Sequence, residues 1–124
     1  MKKVLLVGLD PAKVDFSDPA IPPGMSEEKV HAGIKVALAD MVGHGWQAEV
    51  CFIDPDETAV PTFERQLASE RYDCVVIGAG VRLPPKMLTL FEALINSIRC
   101  VSPEAAIAFN TRPDDSGAAA ARWI

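Results

Sequence analysis

Four short, mainly apolar runs alternate along this chain with segments that have the periodicity of helices. Runs without a polar residue at every second position are typical of strands buried on both faces of a parallel sheet. Strict alternation of strands and helices therefore predicts an α/β fold, a three-layer α/β/α domain with a four-stranded parallel sheet. The predicted strands are Val4–Gly8, Ala48–Ile53, Cys74–Gly78 and Ala105–Phe109.

Four helical segments are predicted to follow the strands. Ser26 is the expected N-cap of the first, and Pro85 the expected first position of the third. The last begins near Asp114 and closes with Trp123, which we expect to be its apolar anchor. The apolar stripes comprise Val30, Ile34, Leu38, Met41 and Val42 in the first helix, Val60, Phe63 and Leu67 in the second, and Met87, Phe91, Leu94, Ile95 and Ile98 in the third.

The order of these segments restricts the topology. At 124 residues, the chain fits a single domain spanning residues 1–124. Right-handed crossovers favour the strand order 2-1-3-4, a Rossmann-like or flavodoxin-like arrangement truncated before its fifth strand. One sheet face is then covered only in part by the first helix. The last helix, a second subunit or both must cover the rest, so a homodimer is the expected assembly.

Charge and cysteine usage narrow the class of protein. The net charge of −5 and the lack of a Lys/Arg cluster argue against nucleic-acid binding, which needs a positive surface. No apolar run approaches the roughly 20 residues of a membrane span, and none forms a signal peptide, so we expect a cytoplasmic protein with no membrane contact. Cys51, Cys74 and Cys100 are widely spaced and predict reduced, buried thiols. No metal site and no cofactor are predicted.

The candidate site follows from the predicted topology. In parallel sheets, ligands bind beyond the carboxyl ends of the strands, here between the first and third strands. The loop from Leu9 to Met25 is far longer than the usual 2–6 residues and contains four prolines. Apolar Phe16, Ile21 and Met25 indicate an ordered lid, an interface element, or a simple plug at the end of the sheet.

Six residues at this edge are the candidate ligand contacts. Glycines let the backbone approach an anion, and a guanidinium can bind a phosphate or carboxylate in a bidentate manner. An alternative is a tight turn in which Arg82 pairs with Asp10, while Arg112 stays in solvent. The candidates are Asp10, Gly78, Gly80, Arg82, Asn110 and Arg112.

Three functions remain open from the residues alone. The first is binding of a small anionic ligand, a phosphate or carboxylate, at the strand ends. The second is a homodimeric interaction module without a small-molecule ligand, and the third is an enzyme of unknown class. Phosphotransfer and FMN binding are disfavoured, because the third strand ends in Gly78-Ala79 and no Ser/Thr-rich loop follows the first. His31 and His44 have no partners at the spacing of a catalytic triad.

Four distinctive segments occur along the chain: Leu9–Pro11, Asp15–Met25, Tyr72–Arg82 and Phe109–Thr111. Together they resemble a group of small bacterial α/β proteins for which no activity is established. The likeness covers nearly the whole chain and implies a bacterial source and a stand-alone domain. It brings no catalytic, cofactor or ligand residues.

Overall fold

The computed structural model describes all 124 residues and contains one four-stranded sheet. All its strands are parallel and their order is β2-β1-β3-β4, which confirms the predicted topology. Each strand begins and ends within one residue of its predicted limits. The strands are β1 (Lys3–Leu9), β2 (Gln47–Ile53), β3 (Cys74–Ile77) and β4 (Ala106–Phe109).

Five helices connect and follow these strands. Ser26 caps the first, because its hydroxyl oxygen accepts a hydrogen bond from the Lys29 amide at 3.2 Å. The short third helix was not predicted. The long helix after it begins later than predicted, because a 3₁₀ turn, Pro85–Met87, precedes it. The helices are α1 (Glu27–Gly43), α2 (Ala59–Ser69), α3 (Ala79–Arg82), α4 (Leu88–Val101) and α5 (Ser116–Ala121).

Side chains that alternate along the strands build two cores, one on each face of the sheet. Leu5, Val7 and Ile77 pack against α2 and α4 on one face. Val4, Leu6 and Val76 pack against α1 and α5 on the other. All six are buried, so the sheet is covered on both faces and forms the middle of three layers.

Helix α5 folds back onto the sheet beside α1, so this same chain covers the strip left by the first helix. The expectation for Trp123 was wrong, since its side chain is 63% exposed. Ala119, Ala120 and Ile124 pack into the core instead. At Gly117, α5 approaches α1 closely, and a Cβ there would require the Asp40 side chain to move.

The cysteines divide into two classes. Cys51 and Cys74 lie in strands and are buried, as predicted. Cys100 is exposed, so the prediction for it was wrong: it lies two residues after buried Ile98, on the opposite side of α4. No helix combines the length and apolar character that a bilayer crossing requires.

Candidate functional site

A crevice with a volume of about 100 Å³ opens at the carboxyl end of the sheet, on the face covered by α1. It spans the ends of β2, β1 and β3, and so includes the position between β1 and β3 where ligands were expected. Strand alternation turns four strand residues toward it, and α1 adds Val30 and Ile34 to the wall. The strand residues are Leu6, Gly8, Val50 and Phe52, and Gly78, directly after β3, adjoins them.

The roof of the crevice is the long loop between β1 and α1, which contributes the apolar side chains of Phe16, Ile21 and Met25. Three aspartates fold the loop into successive Asx turns, in which a carboxylate accepts a hydrogen bond from the amide two residues later. These turns set the path of the loop locally. The bonds run to Asp10 from Ala12 at 3.0 Å, to Asp15 from Ser17 at 3.0 Å and to Asp18 from Ala20 at 2.9 Å.

Two lysines fasten this roof to the rest of the domain. Lys86 Nζ lies 2.6 Å from a carboxylate oxygen of Asp15 and 3.6 Å from one of Asp18. Lys29, in the first turn of α1, donates a hydrogen bond to the Gly24 carbonyl at 2.7 Å. The hydrogen bond from Lys86 and, after it, the bonds from Ser17 together lower the pKa of Asp15 to about 2. Lys86 correspondingly has a raised pKa.

Asn110 lies at one end of the crevice, where it joins three elements. Its side-chain oxygen accepts a hydrogen bond from the Ala79 amide at 2.7 Å, and its side-chain nitrogen donates to the Ser116 hydroxyl at 2.9 Å. The residue is buried. Its amide group therefore holds the start of α3 and the start of α5 at the end of β4, a positioning role.

Arg82 also contacts the end of β4, where Asn110 lies. Its guanidinium donates a hydrogen bond to the main-chain oxygen of Asn110 at 2.9 Å and lies 5.6 Å from the centre of the Phe109 ring. Its Nε is buried without a hydrogen-bond partner. Arg82 does not pair with Asp10, whose carboxylate caps the turn at Ala12.

The six candidate contacts thus divide into two groups. Gly78, Gly80, Asn110 and Arg112 line the crevice. Asp10 and Arg82 lie at the same end of the sheet but form other bonds, and neither lines the crevice. The predicted topology brought all six to one edge, but it could not show which side chains the neighbouring main chain had already engaged.

The rim of the crevice carries positive charge. Arg112 is exposed, and its Nε lies 2.7 Å from an Asp114 carboxylate oxygen. Arg112 lines both the crevice and an adjoining groove, and Lys29 lines the groove only. Two cations and one anion leave this groove net positive in a chain of net charge −5. Lys29 was missed in the sequence because polar residues at the start of a helix usually face only solvent.

Gly8 was also missed, although it interrupts the apolar run of β1 and glycine in a strand often marks a close approach. Its φ is not positive, so its backbone conformation does not require glycine. A Cβ built on Gly8 would meet no atom within 4 Å, so crowding does not require glycine either. The missing side chain leaves open space in the floor of the crevice.

Taken together, the site is an apolar chamber beneath an anchored loop, with cations on one rim. This arrangement can enclose an apolar group and hold an attached anion at the surface. No three His, Cys, Asp or Glu side chains are grouped as metal ligands. No protein-family model and no curated protein matches this chain.

Proposed function

We propose that this protein binds a small ligand that has an apolar body and a single carboxylate. The observation that carries the proposal is the continuity of the apolar crevice with the groove that holds Arg112 and Lys29. Small-molecule sites are mostly apolar, with a few polar groups that fix the orientation of the ligand. Here the apolar part fills the crevice, and the guanidinium of Arg112 binds the carboxylate.

A carboxylate fits this rim better than a phosphate does. A phosphate usually needs several converging main-chain N–H groups or cations. The Ala79 amide already donates to Asn110, and Pro84 and Pro85 have no N–H to offer. With its Nε beside Asp114, the guanidinium of Arg112 offers its two terminal NH₂ groups to the two oxygens of one carboxylate. Lys29 adds a second positive charge nearby and supplies long-range attraction.

The test is isothermal titration calorimetry with small carboxylic acids and with their neutral amides, which have nearly the same shape. We expect the carboxylates to bind and the amides to bind at least about tenfold more weakly, a difference of about 1.4 kcal/mol. Arg112→Gln removes the fork and should reduce carboxylate affinity to the level of the amides. Lys29→Gln should cause a smaller loss, and one that shrinks with added salt.

Arg71→Gln is the matched control, since Arg71 is also an exposed arginine beside a carboxylate, that of Glu104. It should leave carboxylate affinity unchanged. Equal binding of acids and amides would contradict the proposal, as would equal effects of Arg112→Gln and Arg71→Gln. Binding of inorganic phosphate in preference to every carboxylate would reassign the class of anion.

A further inference from the structure

Gly8 and Gly78 form a bare patch in the floor of the crevice, which we name the glycine floor. Gly8 lies in β1, and Gly78 directly follows the neighbouring strand β3; both line the crevice. A Cβ built on Gly78 would lie 3.4 Å from the Val7 carbonyl oxygen and 3.7 Å from the Gly8 Cα, so the two glycines adjoin. Both present main chain without a side chain to the crevice.

Gly8 is a costly choice for this position. Glycine in a strand loses more backbone entropy on folding than other residues and contributes no side chain to packing. An alanine would fit, since its Cβ would meet nothing within 4 Å. Neither the strand nor the core accounts for glycine here. What glycine provides here, and alanine would not, is open space above the main chain.

Phenylalanine and methionine side chains border that space. Phe52 pairs with Gly8 in register on β2 and is 40% exposed, toward the crevice. Phe16 and Met25 line it from the loop on the other side. A planar ring can lie against bare main chain with one face and against the loop with the other. Rings also pack well against Phe edges and Met sulfur.

We infer that the apolar body of the ligand is a single planar ring seated on the glycine floor, and that Gly8 is the residue that admits it. The ligand class is then an aryl carboxylate, with its ring in the crevice and its carboxylate at Arg112. This inference rests on the proposed function and specifies its ligand. The crevice, at about 100 Å³, is smaller than the engineered cavity of about 150 Å³ that binds benzene, so its volume limits the apolar body to a single ring.

The test compares three carboxylates with increasingly less planar bodies: benzoate, cyclohexanecarboxylate and hexanoate. Calorimetric titration of the natural protein should give the highest affinity for benzoate, about tenfold above cyclohexanecarboxylate. Gly8→Val should remove benzoate binding by occupying the floor, and Gly8→Ala should weaken it by an intermediate factor. Gly43→Ala is the control, because a Cβ there also meets nothing within 4 Å but lies at the end of α1.

Circular dichroism establishes that each variant is folded, and Gly8→Ala still tests the inference if Gly8→Val does not fold. Amide chemical shifts of Gly8 and Gly78 should move on addition of benzoate to the natural protein. If all three acids bind equally, or if Gly8→Ala leaves benzoate affinity unchanged, the inference is overturned while the proposed carboxylate function stands. If none of the acids binds at the Arg112 rim, both are overturned.

Discussion

The guanidinium of Arg82 donates a hydrogen bond to the main-chain oxygen of Asn110, 2.9 Å away, at the point where β4 ends. The same group lies over the Phe109 ring. Arg82 is therefore engaged in holding α3 against the end of the sheet. Arg112, only two residues beyond Asn110, is exposed and lines the crevice. Both arginines were candidate ligand contacts in the sequence, but in the fold Arg82 supports the framework and Arg112 faces the crevice.

Arg82→Met should lower the free energy of unfolding by about 1–3 kcal/mol, because it removes a charged donor from a half-buried carbonyl. Urea unfolding measures this loss. Arg112→Gln should change stability by less than about 0.5 kcal/mol, as is usual at exposed positions. Carboxylate affinity should show the reverse order: Arg112→Gln should reduce it more than Arg82→Met does. A loss of stability at Arg112 that exceeds the loss at Arg82 would contradict this division.

Gly8→Ala should raise the free energy of unfolding by roughly 0.5–1 kcal/mol, since it lowers the entropy of the unfolded chain and meets no atom in the folded one. Thermal or urea unfolding measures the gain. Gly45→Ala is the control with opposite sign, because Gly45 has a φ of 81° and alanine is strained there. A destabilised Gly8→Ala would show that the floor is closed by contacts of its own.

Tyr72 should titrate far above an ordinary tyrosine. Burial and, after it, the 2.6 Å hydrogen bond to the Glu49 carboxylate together raise its pKa to about 12. It is the chain's only tyrosine, so tyrosinate absorbance reports this group alone. The midpoint should fall near 12 in the native protein and near 10 in denaturant. Glu49→Gln should lower the native midpoint.

The raised pKa of Tyr72 also makes the free energy of unfolding depend on pH. Because the native pKa of Tyr72 exceeds the unfolded value of 10, the stabilisation is complete below pH 10 and is lost as the pH rises toward about 12. The difference in unfolding free energy between the natural protein and Tyr72→Phe should therefore shrink over that interval. A difference that stays constant with pH would show that the phenol keeps its ordinary pKa in the folded protein.

Asp15 should show the opposite behaviour at acidic pH. Its native pKa of about 2 lies below the ordinary 3.8, chiefly through the hydrogen bond from Lys86. Any stabilisation from this pair is present above pH 3.8 and is lost as the pH falls toward about 2. NMR titration of the Asp15 carboxyl carbon measures the midpoint. Lys86→Met should move it back toward 3.8, whereas Lys35→Met, on exposed α1 surface, should not.

Cys100 should be the only thiol that reacts rapidly with an aromatic disulfide reagent in the native protein. It is exposed, whereas Cys51 and Cys74 are buried in strands. Burial also raises the pKa of both buried thiols, that of Cys74 to about 11, which suppresses the reactive thiolate. All three should react in denaturant. Cys100→Ser should abolish the rapid native reaction, and rapid labelling that survives this change would place a second thiol at the surface.

The sheet could be predicted from the sequence because the apolar runs around Val7 and Ile77 have the length and pattern typical of buried parallel strands and alternate with helical segments. The edge at which the site lies followed from topology. The side-chain partners did not follow, because the bond from Arg82 to the Asn110 carbonyl depends on where α3 turns, and that short helix has no periodicity to detect. Gly8 escaped notice for a related reason: its effect is an empty volume, which only the surrounding residues define.

The Asx turns at Asp10, Asp15 and Asp18 give the crevice a roof whose course is encoded separately from its chemistry. Each aspartate shapes its own neighbourhood, and the residues that face the chamber, such as Phe16 and Ile21, take no part in those side-chain bonds. Substitution of these apolar residues would therefore alter which ligand the crevice binds, while the backbone of the loop keeps its path. Single substitutions at these apolar positions can therefore change the ligand selectivity of the fold without changing the conformation of the loop.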